Sequence, residues 1–347
     1  MKTLRTPRIL ALTLAATATW LCAPILIAAP ATTAPYSLSV FAVSGIHNGI
    51  AYSQPDSIVQ WKDSILVGFQ NHVAKDGTDG KSSTIVQYSL SGQPQSFFSV
   101  PGHNDGLRVV GENDLWCLQN EDANPNLVVI DLDSGARKLY TFPTPPHGGG
   151  YDDIAVQNGQ VFLTASNPMS DPNSSPALVL ATLHGNMVWL DPVLYGNAPA
   201  FDIPTGAPKT LNLQDPDSLT VDPRGNIVLN RQADAELIFI RNALSKQPLV
   251  GVLSITVAGG GSTTLDDTAF VPNPHAYMLF SDVQGGTIYR IDNHQFGFEP
   301  GTAYSTSDTV GFVAELSLDN GVVTPIATGF GSTRGLIFVT PTSEHED

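Results

Sequence analysis

Cysteine is almost absent from the sequence. It occurs twice in 347 residues, as Cys22 near the amino terminus and as Cys117 within an apolar stretch. If the amino-terminal segment is removed, as argued below, Cys117 stands alone and no intrachain disulfide can form. The stability of the mature chain must then come from packing, with or without bound metal ions.

Positive charge is also scarce. The chain has 16 Lys and Arg against 32 Asp and Glu, which gives a formal net charge of −16. Such a surface repels phosphate backbones and anionic lipids, and this argues against nucleic acid as a partner. The expected ligands are cations and a small-molecule substrate.

Several common patterns are missing. The chain has neither the Gly-x-Ser-x-Gly elbow of the α/β hydrolases nor the His-Glu-x-x-His motif of zinc proteases. It also has no long amphipathic helix pattern. Short apolar or alternating runs, bounded by Gly, Asn, Asp and Pro, predict an all-β protein instead.

The first 34 residues have the features of an export signal. Basic residues precede an apolar run, Ile9–Ala29, and small residues follow it. We predict that the mature chain begins near Ala29–Pro35 and is secreted or periplasmic, without a stable membrane anchor. The alternative is an uncleaved anchor, because the run is nearly long enough to span a bilayer. Residues 35–347 are predicted to form one domain.

A short unit recurs along the rest of the chain. It opens with an acidic tetrapeptide followed by short strands and polar turns, and fixed-period repetition of this kind is typical of propellers. The five similar copies and the altered sixth copy are Pro55-Asp56-Ser57-Ile58, Asn104-Asp105-Gly106-Leu107, Tyr151-Asp152-Asp153-Ile154, Pro216-Asp217-Ser218-Leu219, Asp266-Asp267-Thr268-Ala269 and Thr333-Arg334-Gly335-Leu336.

The repeat predicts a six-bladed β-propeller with four strands in each blade. Few residues follow the sixth copy, so Ser37–Ser53 is expected to complete that blade and close the ring. In the fifth unit, Tyr277–Phe280 and Thr287–Ile291 are predicted as the second and third strands, and His294–Asp308 as an inserted surface loop. A five-bladed ring with an extra strand is the alternative.

The second residues of the tetrapeptides should surround the mouth of the central channel, because the inner strands of a propeller begin at one face. Carboxylates so close together repel one another unless a cation compensates, and calcium prefers oxygen ligands. We therefore predict a site for calcium or another divalent cation there. The alternative is structural, with each Asp capping backbone N–H groups at its strand start. The predicted mouth residues are Asp56, Asp105, Asp152, Asp153, Asp217, Asp267 and Arg334, with Asn120 and Glu121 from a neighbouring loop.

The stretch from Pro216 to Asn226 resembles the repeat unit of the senescence-marker-protein/gluconolactonase family of six-bladed propellers. NHL-repeat propellers share a looser form of this unit. The resemblance implies a divalent cation, usually calcium, above the channel, and hydrolysis of lactones or related esters. It places the family's metal ligands on Asp56 and Asp217, near Asn104, and near Asp152 or Asp153, of which we take Asp152.

The residues that activate water are a separate prediction. A carboxylate with a raised pKa, such as Asp217, or one of the histidines nearest the mouth, His103 and His147, could take this role. The alternative for both histidines is an ordinary position in a loop. A non-catalytic propeller that binds a ligand or a protein partner is the alternative function, because fold alone does not decide activity.

Overall fold

The computed structural model describes residues 29–340, and most of the predicted export signal lies outside them. The described chain is all-β, with a single 3₁₀ turn at Gln232–Asp234. None of its helices is long and apolar enough to span a bilayer. The prediction of an all-β protein is confirmed.

Six blades surround a central channel, each with an inner strand beside the inner strands of its two neighbours, and blades 2 and 3 are joined into one sheet by the pairing of Thr141 with Met187. From the inner to the outer strand, the blades are blade 1 (Pro55–Trp61, Ser64–Phe69, Ser82–Ser89, Pro94–Pro101), blade 2 (Asn104–Val110, Asp114–Gln119, Asn126–Asp131, Arg137–Thr141), blade 3 (Tyr151–Gln157, Gln160–Ala165, Pro176–His184, Met187–Tyr195), blade 4 (Pro216–Val221, Ile227–Arg231, Glu236–Arg241, Leu249–Ser254), blade 5 (Thr268–Phe270, Ala303–Ser307, Phe312–Leu316, Val322–Thr328) and blade 6 (Thr333–Val339, Tyr277–Asp282, Thr287–Asp292, Ser37–Val43).

Short strands extend two of the blades at their outer edges. Pro199–Asp202 and Pro208–Thr210 lengthen blade 4, while Ala31–Thr32 and Thr256–Val257 both pair with the outer strand of blade 5. A separate hairpin joins Gly45–His47 to Ile50–Tyr52.

The core consists of six apolar clusters within the described chain, one between each pair of adjacent blades. Leu66 of blade 1 packs in one cluster with Leu115 of blade 2, and Ile58 of blade 1 packs in another with Leu279 of blade 6. Every blade therefore buries both faces, as in a closed propeller. The six-bladed prediction is confirmed, and the five-bladed alternative is wrong.

The closure of the ring follows the prediction in part. Ser37–Val43 pairs with Thr287–Asp292 and forms the outer strand of blade 6, so the two ends of the chain meet in one sheet. The assignment of Tyr277–Phe280 and Thr287–Ile291 to the fifth unit was wrong. They pair with the last inner strand, Thr333–Val339, and belong to blade 6.

Blade 5 takes its other strands from further along the chain. Its inner strand pairs with Ala303–Ser307, a fully buried strand inside the segment predicted as a surface loop. The chain therefore begins blade 5, passes through blade 6, returns to blade 5 and ends in blade 6. The two blades are interleaved in sequence although each is an ordinary antiparallel sheet in space.

Candidate functional site at the channel mouth

The inner strands begin with an irregularity that positions the site. In blades 1 to 4 the pairing register shifts between the first and fourth residues of the tetrapeptide, so that one extra residue stands in the inner strand. Bulges of this kind turn a side chain out of the regular alternation. Asp56, Asp152 and Asp217 lie within the shifted segments and line one cavity at the channel mouth.

This cavity has a volume of about 390 Å³ and a strongly acidic wall. It brings together most of the residues predicted for the mouth. Predicted residues that line it are Asp56, Asp105, Glu121, Asp152, Asp153, Asp217, Asp267 and Arg334, and other lining residues include Lys75, Asp122, Asp215, Gln232 and Asp266.

The third residues of the tetrapeptides link each blade to the next one. Ser57 Oγ donates to the carbonyl of Asp105, and Ser218 Oγ donates to the carbonyl of Asp266. Gly106 and Gly335 occupy the equivalent places, where a Cβ would collide with the backbone of Asp152 or Asp56. These contacts run around the ring directly beneath the acidic positions.

The same contacts correct the register of the fifth repeat. Asp267 Oδ2 accepts from the Leu336 N–H at 3.1 Å, as Asp153 Oδ2 accepts from the Leu219 N–H at 2.7 Å. Asp267 is therefore a linking residue of the third position, and Asp266 holds the second position that the repeat assigned to Asp267. The one-residue shift was hidden because both residues are aspartate.

Two cations compensate part of the acidic wall. Arg334 Nη1 lies 3.6 Å from Asp56 Oδ2, and Arg334 Nε lies 3.8 Å from Asp266 Oδ1. Burial opposes the charge of Arg334, but these carboxylates outweigh it and raise the pKa of the guanidinium. Gln70 adds a bond to Asp56 and a second, of 3.3 Å, to Asp105 Oδ1.

The second cation is Lys75. Its Nζ lies 2.5 Å from Glu121 Oε1. Burial alone would raise the pKa of Glu121, but the ammonium group of Lys75 more than offsets this and holds that pKa below its usual range. Glu121 is therefore an ionised, paired carboxylate.

Asp105, Asp152 and Asp217 are three neighbouring wall carboxylates that form no ion pair with a Lys or Arg within the described residues, and we call them the carboxylate cluster. Asp152 lies close enough to Asp105 and to Asp217 to share a proton with each. Burial first, and then the neighbouring carboxylates, raise the pKa of all three groups well above the usual value. Like charges this close cannot all ionise, so either protons or a cation must lie among them.

The carboxylate cluster offers only oxygen ligands, the kind that a hard divalent cation takes, but the three described residues whose ligand atoms lie within 4.8 Å of one another are His103, Asp105 and Glu121. Asp152 Oδ1 and Asp217 Oδ2 are buried, and neither has a hydrogen-bond partner within residues 29–340. Calcium coordinates carboxylate oxygens of this kind and completes its shell with water. Two of the four predicted metal ligands, Asp152 and Asp217, belong to the cluster, and Asp105 is its third member.

The other two predicted ligands lie elsewhere. Asp56 lines the cavity but is held by Gln70 and Arg334. Asn104 is fully buried inside blade 2, where its Nδ2 donates to the Leu118 carbonyl at 2.9 Å. Its side chain points away from the mouth because the first tetrapeptide position faces the interior of the sheet.

Asn120 and His147 also lie outside the cavity wall. Asn120 Oδ1 accepts from the His103 N–H at 3.0 Å, and its Nδ2 bonds the Asn124 carbonyl, so the side chain holds its own loop. His147 is buried against Tyr151, with Nε2 2.7 Å from the Gly150 carbonyl. Burial lowers the pKa of His147. His103 lies behind the wall, next to Asp105 and Glu121.

A second cavity of about 330 Å³ continues into the channel and shares Asp153 and Asp267 with the mouth. Arg108 lines it, and its Nε donates to the Ile154 carbonyl at 2.9 Å. Burial, and then the charge of Asp153, raise the pKa of Asp267 to about 7.

No family model matches the chain, and no curated protein matches it. Solved structures resemble it in fold. A protein of unknown function from Bacteroides thetaiotaomicron superposes with a TM-score of 0.53 at 10% identity, over 88% of this chain and 69% of that one. Virginiamycin B lyase from Staphylococcus aureus gives 0.48 at 12% identity, over 82% and 86%.

A putative gluconolactonase gives a TM-score of 0.45 at 11% identity, over 86% of this chain and 83% of that one. At these identities the likeness concerns architecture alone. Propellers named for a gluconolactonase and for a lyase are thus among the proteins that this chain is similar to in fold.

Repeat counting missed Lys75, Gln70 and Asp266, all of which shape the site. Lys75 and Gln70 belong to the loop after the second strand of blade 1, which arrives at the mouth face. The predicted direction of that loop was a usable signal, but it did not say which of its side chains would turn inwards. Asp266 was missed through the register shift described above.

Proposed function

We propose that this protein is a divalent-cation-dependent hydrolase of lactones or related esters, with its site at the channel mouth. The observation that supports this most directly is the carboxylate cluster of Asp105, Asp152 and Asp217, with its two unpartnered buried oxygens. These three residues would hold the cation, and calcium is the ion that suits their oxygen ligands. When bound, such an ion polarises a carbonyl group and stabilises negative charge on its oxygen.

The remaining wall residues would bind the substrate and move the proton. Lys75 and Arg334 are cationic side chains in the wall and can orient the polar oxygens of a small molecule. Asp267 is the best-suited proton acceptor, since a general base works best when its pKa is near the working pH. A cavity of about 390 Å³ suits a small substrate.

We further propose that the mature protein acts outside the cytoplasm, because the amino-terminal sequence has the features of an export signal. Its partner would be a small-molecule substrate and not nucleic acid, because the chain carries a net charge of −16.

A non-catalytic propeller that binds a cation and a ligand is the second candidate. It is favoured by one feature of the wall: among the described residues that line the cavity there is no histidine and no cysteine. Ligand binding requires neither a histidine nor a cysteine. Hydrolysis at this site would depend on carboxylates for proton transfer.

The test is turnover of a panel of lactones and aryl esters by the purified mature protein, with EDTA and after calcium is added back. We expect hydrolytic activity that EDTA abolishes and added calcium restores. The Asp152→Asn variant should lack this activity. Asp133→Asn, the same change at a half-exposed site paired with Lys62, is the matched control and should keep full activity. Turnover that EDTA leaves unchanged would contradict metal dependence, and calcium binding without any turnover would favour the binding protein.

A further inference from the structure

His103 is held in one orientation behind the cavity wall. Its ring is 4% exposed, and Nδ1 lies 2.8 Å from the Val73 carbonyl oxygen. A carbonyl oxygen can only accept, so Nδ1 carries a proton, and Nε2 is the ring nitrogen that is left to bind an ion. Metal-binding histidines are commonly fixed in this way, by a backbone carbonyl on the other ring nitrogen.

Nε2 of His103 faces two carboxylates without a hydrogen bond to either. It lies 3.6 Å from Glu121 Oε1 and 4.0 Å from Asp105 Oδ1, and it has no hydrogen-bond partner in the described chain. Three ligand atoms, one from each of these residues, lie within 4.8 Å of one another. Two buried carboxylates that face one ring nitrogen need a positive charge near them, and a metal ion bound to all three groups would supply it.

The spacing matches that of ligands around one metal ion. Nitrogen and oxygen ligands of zinc lie about 2.0–2.2 Å from the ion, which at tetrahedral angles places them about 3.4 Å from each other. The 3.6 Å and 4.0 Å separations at His103 are close to this value. Small side-chain movements would bring all three groups onto one ion.

We propose that His103, Asp105 and Glu121 form a second cation site that takes a borderline transition metal such as Zn²⁺. An imidazole nitrogen with two carboxylates suits such ions, whereas the oxygen-only carboxylate cluster suits calcium. Asp105 belongs to both groups, and His103 belongs to the zinc site only. The inference does not depend on the proposed hydrolase activity.

Lys75 competes with the ion for this site. Its Nζ lies 2.5 Å from Glu121 Oε1, the same oxygen that faces His103. The Lys75 side chain is 50% exposed, so it can swing outwards and leave Glu121 to the metal. Zinc binding therefore displaces the ammonium group, and removal of that group should strengthen binding.

The experiment is calorimetric titration of the mature protein with Zn²⁺, together with the visible absorption of the Co²⁺ form. We expect one tight site and a cobalt spectrum that shows nitrogen ligation. His103→Gln should weaken zinc binding by roughly tenfold or more, while the calcium-induced rise in melting temperature stays unchanged. His147→Gln replaces a histidine that is also buried but has no carboxylate within bonding distance of its ring among the described residues, and it should bind zinc like the wild type.

Lys75→Met provides a test that does not depend on the folding of a His103 variant. It should raise the zinc affinity, because the competing ammonium group is gone. Absence of zinc binding by the wild type, or equal affinities in the wild type, His103→Gln and Lys75→Met, would overturn the proposal and leave His103 as a charged partner of the two carboxylates. Zinc binding is measured without substrate, so a failed esterase assay does not affect the result.

Discussion

Gly335 lies so close to the carbonyl oxygen of Asp56 that a Cβ on Gly335 would stand 1.9 Å from that oxygen. This contact joins the last inner strand of the chain to the first one. It completes the circle of links beneath the acidic positions, in which Gly106 has the equivalent place between blades 2 and 3.

Gly335→Ala should therefore destabilise the closed ring. We expect a loss of about 2–4 kcal/mol in the free energy of unfolding, because the collision involves backbone that cannot move without opening the ring. Gly225→Ala is the matched control: Gly225 also has a positive φ, of 79°, but nothing lies within 4 Å of its Cβ position. Denaturant unfolding of the two variants separates the collision from backbone strain, and equal losses would contradict the steric explanation.

Asp217→Asn should weaken calcium binding more than folding. The change removes one charge from the carboxylate cluster, which relieves repulsion in the calcium-free protein and removes a ligand from the loaded one. At 100 times its dissociation constant, calcium should stabilise the wild type by about 2.7 kcal/mol. Melting curves with and without calcium should show a much smaller shift for Asp217→Asn, whereas Asp133→Asn should shift like the wild type.

The stability of the calcium-free protein should fall as pH rises. Asp105, Asp152 and Asp217 have raised pKa values in the folded state, so above the usual aspartate pKa of 3.8 the folded chain binds more protons than the unfolded one. The free energy of unfolding then decreases with pH across that range. We expect a lower melting temperature at pH 8 than at pH 5 in EDTA, and calcium should abolish the difference. A higher melting temperature at pH 8 in EDTA would contradict the protonated state of the cluster.

Arg334→Met should destabilise the protein at neutral pH. The change leaves Asp56 and Asp266 buried without their cation, and loss of one partner from a buried ion pair costs about 3–5 kcal/mol. The loss should shrink at pH 4, because burial raises the pKa of Asp266 and this carboxylate can take up a proton there. Chemical unfolding at the two pH values measures this, and a loss that does not depend on pH would show that Arg334 acts through packing alone.

The inner strands were predictable because each begins with the same acidic tetrapeptide. Five of the six second positions were placed correctly from the tetrapeptide pattern, and the short strands that follow each copy predicted most of the blades. The error at Asp267 arose because two adjacent aspartates satisfy the repeat equally well. Only the bond from Leu336 N–H to Asp267 Oδ2 distinguishes them, and that bond joins residues far apart in the sequence.

The remaining errors have one cause. A repeat shows where an inner strand begins but not which later strand pairs with it. Tyr277–Asp282 is the more apolar candidate in sequence, yet the buried, hydroxyl-rich strand Ala303–Ser307 is the one that pairs with Thr268–Phe270. Asn104 was assigned to the mouth for a similar reason, because a sequence position does not reveal the side of the sheet on which a bulge leaves the side chain.

The interleaving of blades 5 and 6 constrains how a gene for this protein can change. Propellers built from consecutive blades can gain or lose one when a single DNA segment is duplicated or deleted. Here the segments that encode blade 5, residues 268–270 and 303–328, alternate with two of the segments that encode blade 6, residues 277–292 and 333–339, and the outer strand of blade 6 comes from residues 37–43. Deletion of blade 5 would need two separate cuts within the coding sequence and deletion of blade 6 would need three, so neither blade can be lost as one continuous DNA segment.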